Sequence, residues 1–137
     1  MSLTLRRALR ISQEQSVAFV GAGGKTTAMF QLARQFSTAL VTTSTHLGAW
    51  QAGQADTHII WQADAAPTDF SVPAAGICLI SGPLDPLSNR YGGLDAAQLA
   101  ELQRIAEFHN LPLLIEADGS RQKPLKAPAA HEPAIPE

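Results

Sequence analysis

The stretch V-A-F-V-G-A-G-G-K-T-T, residues 17–27, constrains this chain more than any other. It sets an apolar strand, a glycine turn, a lysine and two hydroxyls in direct succession. Val17 to Val20 suit a buried strand, and Gly21, Gly23 and Gly24 remove the Cβ atoms that would stop the backbone closing around an anion. A helix opening at Lys25 would then point its unpaired N–H groups and the positive end of its dipole at that anion. Lys25 would add a point charge on the β/γ oxygens of a nucleotide, the Thr26 hydroxyl would suit Mg²⁺, and Thr27 would lie beside it. We read the stretch as a phosphate-binding loop. A glycine turn joining strand to helix with an incidental lysine is the plainer alternative.

The loop departs from the longer G-x-x-x-x-G-K-[ST] pattern, whose first glycine would fall on Phe19. Its G-x-x-G-K-T-T form resembles the compact loop of Mur-type ligases. A dinucleotide fingerprint fits less well, because Thr26 stands where a third glycine would be and no acid ends the next predicted strand.

The chain has 137 residues, 45% hydrophobic and 16% charged, which suits one globular domain, or part of one, able to bury a core. A net charge of −2 gives no global attraction to nucleic acid or anionic membrane, so an anion site has to be local. The single cysteine, Cys78, excludes an internal disulfide and a multi-cysteine metal site; it lies in the apolar run 77–80, where burial is expected rather than reactivity. A cytoplasmic protein is expected, and no apolar run is long enough to span a bilayer. Leu3, Leu5, Ala8, Leu9 and Ile11 predict a short helix beside the first strand, with Arg6, Arg7 and Arg10 solvated.

Beyond the loop, Met29, Leu32, Ala33 and Phe36 recur at helical spacing, predicting a helix over 25–37, and 39–43 returns as a strand. Strand, helix and strand in that order predict a βαβ unit in a mostly parallel sheet flanked by helices, the P-loop NTPase-like arrangement. The second strand runs into T-T-S-T-H, where continued extension would set Thr43 and Thr45 on one face and Thr42, Ser44 and His46 on the other. Thr43, Thr45 and His46 are candidates for a phosphate or Mg²⁺ shell, although threonine is also common in ordinary strands. Further strands are expected over 57–61 and 77–80, separated by a small-residue and proline loop at 62–73. Residues 81–93 read as a long turn-rich loop in which Arg90, Tyr91 and the paired glycines could touch a substrate. Asp95 with Gln98 resembles a capping box opening a helix through Phe108, buried along Leu99, Leu102, Ile105 and Ala106. Glu101 and Arg104 are expected to pair on its surface.

The last strand, L-L-I-E-A-D-G-S at 113–120, ends in two acids. A period of two puts Glu116 and Asp118 on one side, opposite Ile115 and Ala117, at the edge where the phosphate loop sits. Such a pair resembles a Walker B strand: Asp118 would hold Mg²⁺ with Thr26, and Glu116 would position water or substrate. Like charges side by side repel unless a cation is shared, which favours a metal. Residues 121–137 form a proline-rich basic segment, in which Arg121 or Lys126 could stabilise charge during transfer.

Taken together, G-A-G-G-K-T-T (21–27), V-T-T-S-T-H (41–46), I-E-A-D-G-S (115–120) and P-L-K-A-P-x-x-H-E-P-x-I-P (124–136) closely resemble the YqeC family. The resemblance covers nearly the whole chain. It implies a nucleotide-binding accessory protein in the maturation of a selenium-dependent molybdenum hydroxylase, with Mg²⁺ and ATP or GTP as cofactors and that hydroxylase or its maturation proteins as partners. Hydrolysis is one expectation; a non-hydrolysing carrier or switch, or a fragment of a Mur-type ligase, are the others. The resemblance places phosphate-site roles on Gly24, Lys25, Thr26 and Thr27, and Thr43, Thr45, His46, Glu116, Asp118, Arg121 and Lys126 match the remaining motifs. Relatives continue past H-E-P-x-I-P, so a single domain truncated at its C-terminus is expected over residues 1–137.

Overall fold

The apolar runs at 77–80 and 113–115 lack alternation, as strands covered on both faces should. In the computed structural model, which describes residues 4–10, 16–21, 23–62 and 71–117, both lie inside a five-stranded sheet. The elements are α1 (Leu5–Ala8), β1 (Ser16–Phe19), α2 (Lys25–Ala33), β2 (Thr38–Thr43), β3 (His46–Gly48), α3 (Ala49–Ala52), β4 (Thr57–Ile60), β5 (Gly76–Ser81), β6 (Leu84–Asp85), β7 (Arg90–Gly92), α4 (Ala96–His109) and β8 (Leu113–Glu116). The sheet runs in the order β1-β8-β2-β5-β4, every pair parallel. The expected α/β class with a parallel sheet flanked by helices is therefore the observed one.

Strand alternation divides the core into two layers. Val41, Leu79, Ile77 and Leu114 face α2 and pack with Met29, Phe30, Leu32 and Ala33. Leu40, Cys78, Ile80, Leu113 and Ile115 face the other way and pack with Leu99, Leu102 and Ala106 of α4. Burial of each large aliphatic chain contributes about 1.5–3 kcal/mol, so the sheet is held from both sides. α4 starts as the capping box requires: the Gln98 N–H donates to the Asp95 carboxylate at 2.8 Å and the Asp95 N–H to the Gln98 side chain at 2.9 Å. It stops at Asn110, which takes the left-handed conformation with φ 55°. Arg104 and Glu101 pair on its exposed surface, where such a contact contributes little.

Four features differ from the sequence reading. The strand expected to be buried over 17–20 is β1, which ends at Phe19 and is only half-buried because it forms the edge of the sheet, and Val20 beyond it is exposed. α2 ends at Ala33 rather than 37, because Gln35 N and Phe36 N bond back to Leu32 O and Ala33 O, a tighter last turn that swings the chain into β2. Residues 81–93 are not a loop: β6 and β7 form a hairpin, and β3 joins β7 in a second, antiparallel sheet of order β3-β7-β6. Its turn is built by Asp85, whose carboxylate accepts from the Leu87 N–H and the Ser88 hydroxyl, and by Asn89 at φ 58°. Lastly, Arg6 is not simply solvated; its guanidinium stacks 4.3 Å over the Phe36 ring and its N–H donates to Gln35, so α1 sits against the end of α2.

The two sheets meet at His58. Its Nε2 lies 2.8 Å from Ser81 Oγ, and its ring meets Tyr91 edge-on at 4.5 Å. The half-burial that these contacts bring lowers the imidazole pKa. No helix among the described residues is long and apolar enough to cross a membrane.

Cys78 is buried, as expected, and burial pushes its thiol up to about 11. It should resist a thiol-reactive disulfide reagent in the native full chain at neutral pH and react stoichiometrically only as urea unfolds the protein. Rapid labelling in native buffer would contradict the packing described here.

Candidate functional site

The fold inserts β8 between β1 and β2, and this decides what the phosphate loop faces. Phe19 and Thr43 are the register partners of Glu116 on its two sides, so the acid occupies the α2 face at the carboxyl edge of the sheet. The junction is closed by backbone bonds, Ala117 N to Phe19 O and Ser44 N to Glu116 O, both 2.9 Å. Ligands of open parallel sheets collect at this edge.

The loop leaves β1 at Gly21 and enters α2 at Lys25. Gly21, Gly23 and Gly24 have φ of 115°, 77° and 74°, in the region that a side chain disfavours. Among the described residues nothing lies within 4 Å of where a Cβ would stand at any of the three. Gly24 caps α2 without a side-chain bond, so no cap side chain satisfies the first N–H groups of the helix. Left-handed glycines followed by a helix N-terminus form the concave set of N–H donors that suits a phosphate.

Two side chains join the loop to β8. The buried Thr26 hydroxyl donates to Glu116 Oε1 at 2.7 Å across 90 residues of sequence, and the Lys25 ammonium donates to Ala117 O at 3.2 Å. Thr27 is exposed one position on. An alcohol and a carboxylate oxygen side by side are the donors that Mg²⁺ takes from protein, its remaining positions going to water and phosphate. Among the described residues no group of three or more His, Cys, Asp or Glu comes together that could hold a metal ion.

The threonine exit is arranged differently from a continued strand. β2 stops at Thr43, whose fully buried hydroxyl accepts from the Thr45 N–H at 3.1 Å and lies 3.3 Å from the Thr45 hydroxyl. This is a hydroxyl-stabilised turn. It leaves Thr45 half-exposed and sends the chain into β3, where His46 is exposed opposite Gly92. Thr42 points to the opposite face and donates to Ile80 O at 2.7 Å. The structure thus brings Gly21, Gly23, Gly24, Lys25, Thr26 and Glu116 together, with Thr43 and Thr45 one strand away. Asp118, Arg121 and Lys126 lie outside the described residues. The sequence reading did not single out the Ala117 carbonyl that receives Lys25, because a main-chain acceptor carries no residue-type signal.

Residues 17–137 match the model of the YqeC protein family, so the chain belongs to the YqeC family. It is 31% identical over 128 residues to a protein of Escherichia coli K12 named "Uncharacterized protein YqeC", an alignment covering 88% of this chain and 46% of that one. The chain therefore spans about half the length of the relative it matches. No solved structure matches it.

Thr26→Val would strip the buried Glu116 carboxylate of its hydroxyl donor. We expect a loss of about 1–3 kcal/mol from urea unfolding, the range for an unsatisfied buried acceptor. Thr26→Ser, which keeps the hydroxyl, should lie much closer to wild type.

Proposed function

We propose that this chain binds a Mg²⁺-nucleoside triphosphate, ATP or GTP, and couples it to an accessory role in maturing a selenium-dependent molybdenum hydroxylase. The observation that carries the nucleotide reading is the 2.7 Å contact between Thr26 and Glu116 beneath a loop of left-handed glycines. A lone glycine turn needs no buried acid behind its first helical hydroxyl. The accessory role rests on family membership and on the motifs that resemble the family.

In this reading the N–H groups of Gly23 to Lys25 bind the phosphates, and Lys25 leaves the Ala117 carbonyl to neutralise the β/γ oxygens. Thr26 and Glu116 are the residues that would hold Mg²⁺, directly or through water, in exchange for their mutual hydrogen bond. Bound Mg²⁺ supplies positive charge to the phosphate oxygens. The sequence reading gave the metal to Asp118 with Thr26, and water or substrate to Glu116; the contact with Thr26 adds Glu116 to the residues that would hold the metal. Thr45, whose hydroxyl lies beside that of Thr43 one strand beyond Glu116, would face the terminal phosphate.

Thermal and denaturant unfolding of the full chain with Mg·ATP or Mg·GTP tests this. Nucleotide at 100 times its Kd should stabilise wild type by about 2.7 kcal/mol, and Lys25→Ala should lose most of that gain. No stabilisation of wild type by either nucleotide would sink the proposal. Phosphate release measured alongside separates a hydrolase from a nucleotide-gated carrier.

A further inference from the structure

Gly93 follows β7 and precedes the cap of α4, and it touches the rest of the molecule more closely than any other described glycine. A methyl group at its Cα would stand 2.4 Å from Ser44 C, 2.5 Å from Thr45 N and 2.7 Å from Thr45 O. All three are main-chain atoms, so no side chain could turn aside to make room. Gly93 is not among the glycines with positive φ; space requires it, not conformation. Nor can the segment shift freely, because Leu94 N donates to Thr43 O at 2.9 Å and Gly92 exchanges two bonds with the 82–83 strand end.

The peptide beneath Gly93 is the one that fixes the threonine turn. Its N–H belongs to Thr45 and donates to the buried Thr43 hydroxyl, while the preceding Ser44 N–H donates to Glu116 O. A displacement of this peptide would therefore move the Thr45 hydroxyl relative to Glu116 while leaving the glycine loop, on the far side of β8, where it is.

We propose that Gly93 is a positioning residue that holds the Thr45 hydroxyl one strand beyond Glu116, where it donates to the terminal phosphate of a bound nucleoside triphosphate. This deepens the nucleotide reading and rests on it: the loop and Lys25 hold the phosphate chain, and the Thr45 turn adds one more donor that only the triphosphate meets. The arrangement makes Gly93, far from the loop in sequence, a determinant of triphosphate preference.

Calorimetric titration of the full chain with Mg·ADP and a non-hydrolysable Mg·ATP analogue, or the guanine pair if that base binds wild type, tests the assignment. Gly93→Ala should weaken the triphosphate analogue by about tenfold, roughly 1.4 kcal/mol, with diphosphate affinity nearly unchanged. Thr45→Val removes the hydroxyl without crowding the backbone and should reproduce the selective loss, even if Gly93→Ala folds poorly. Thr45→Val with wild-type triphosphate preference would overturn the proposal, as would equal losses of both nucleotides in a folded Gly93→Ala. Wild type binding neither nucleotide would overturn the underlying reading as well, an outcome distinct from variants that discriminate as wild type does.

Discussion

A hydrogen bond from the Thr26 hydroxyl to a carboxylate oxygen of Glu116 ties the first helical turn of α2 to the end of β8. The rest of the site depends on it. Parallel strands deliver their carboxyl ends to one edge, so a chain that places β8 beside β1 brings an acid to a glycine loop formed 90 residues earlier. The face that Glu116 takes follows from the strand register. Glu116 shares its face with Leu114, and Leu114 packs in the layer beneath α2, so a one-residue slip of β8 would bury the acid among the apolar side chains of the α4 layer.

Much of this was legible from residue types. Val17 to Phe19, the three glycines and Lys25 marked a strand, a tight turn and a helix; the period of two in L-L-I-E marked the face of Glu116; and Asp95 with Gln98 marked the start of α4. These signals are local, and local chemistry is what a sequence displays. The insertion of β8 between β1 and β2 was not legible, because alternation tells which face a residue takes but not which strand lies beside it. The second sheet was missed for a different reason. Its strands have two or three residues, too short for any period to show, and glycine, proline and asparagine dominate between them. The threonine run had the right residues and the wrong geometry: the Thr43 hydroxyl captures the Thr45 N–H and ends the strand. Gly93 carried only a weak mark, one half of a glycine pair, since its role is set by the backbone it meets.

The small sheet gives the site a second wall. β3 continues from the threonine turn, β7 carries Tyr91 against His58, and the segment after β7 returns to press on Ser44 and Thr45. The glycine loop stands on one side of Glu116, and a tightly packed turn stands on the other. Such an arrangement suits a ligand held at one end by many N–H donors and checked at the other by one well-placed hydroxyl. Family membership covers the loop, the turn and β8 together, within a chain half as long as its Escherichia coli relative.

The central claim is that Thr26 and Glu116 exchange their mutual bond for a shared cation when nucleotide binds. Pulsed electron-nuclear double resonance on Mn²⁺-nucleotide bound to the full chain, with glutamate carboxylates labelled with carbon-13, reads that exchange directly. The expected result is a carbon-13 coupling from a glutamate carboxylate close to the manganese, lost in Glu116→Gln with nucleotide still bound. Nucleotide-bound manganese with no such coupling in wild type, or with the coupling intact in Glu116→Gln, would contradict the account.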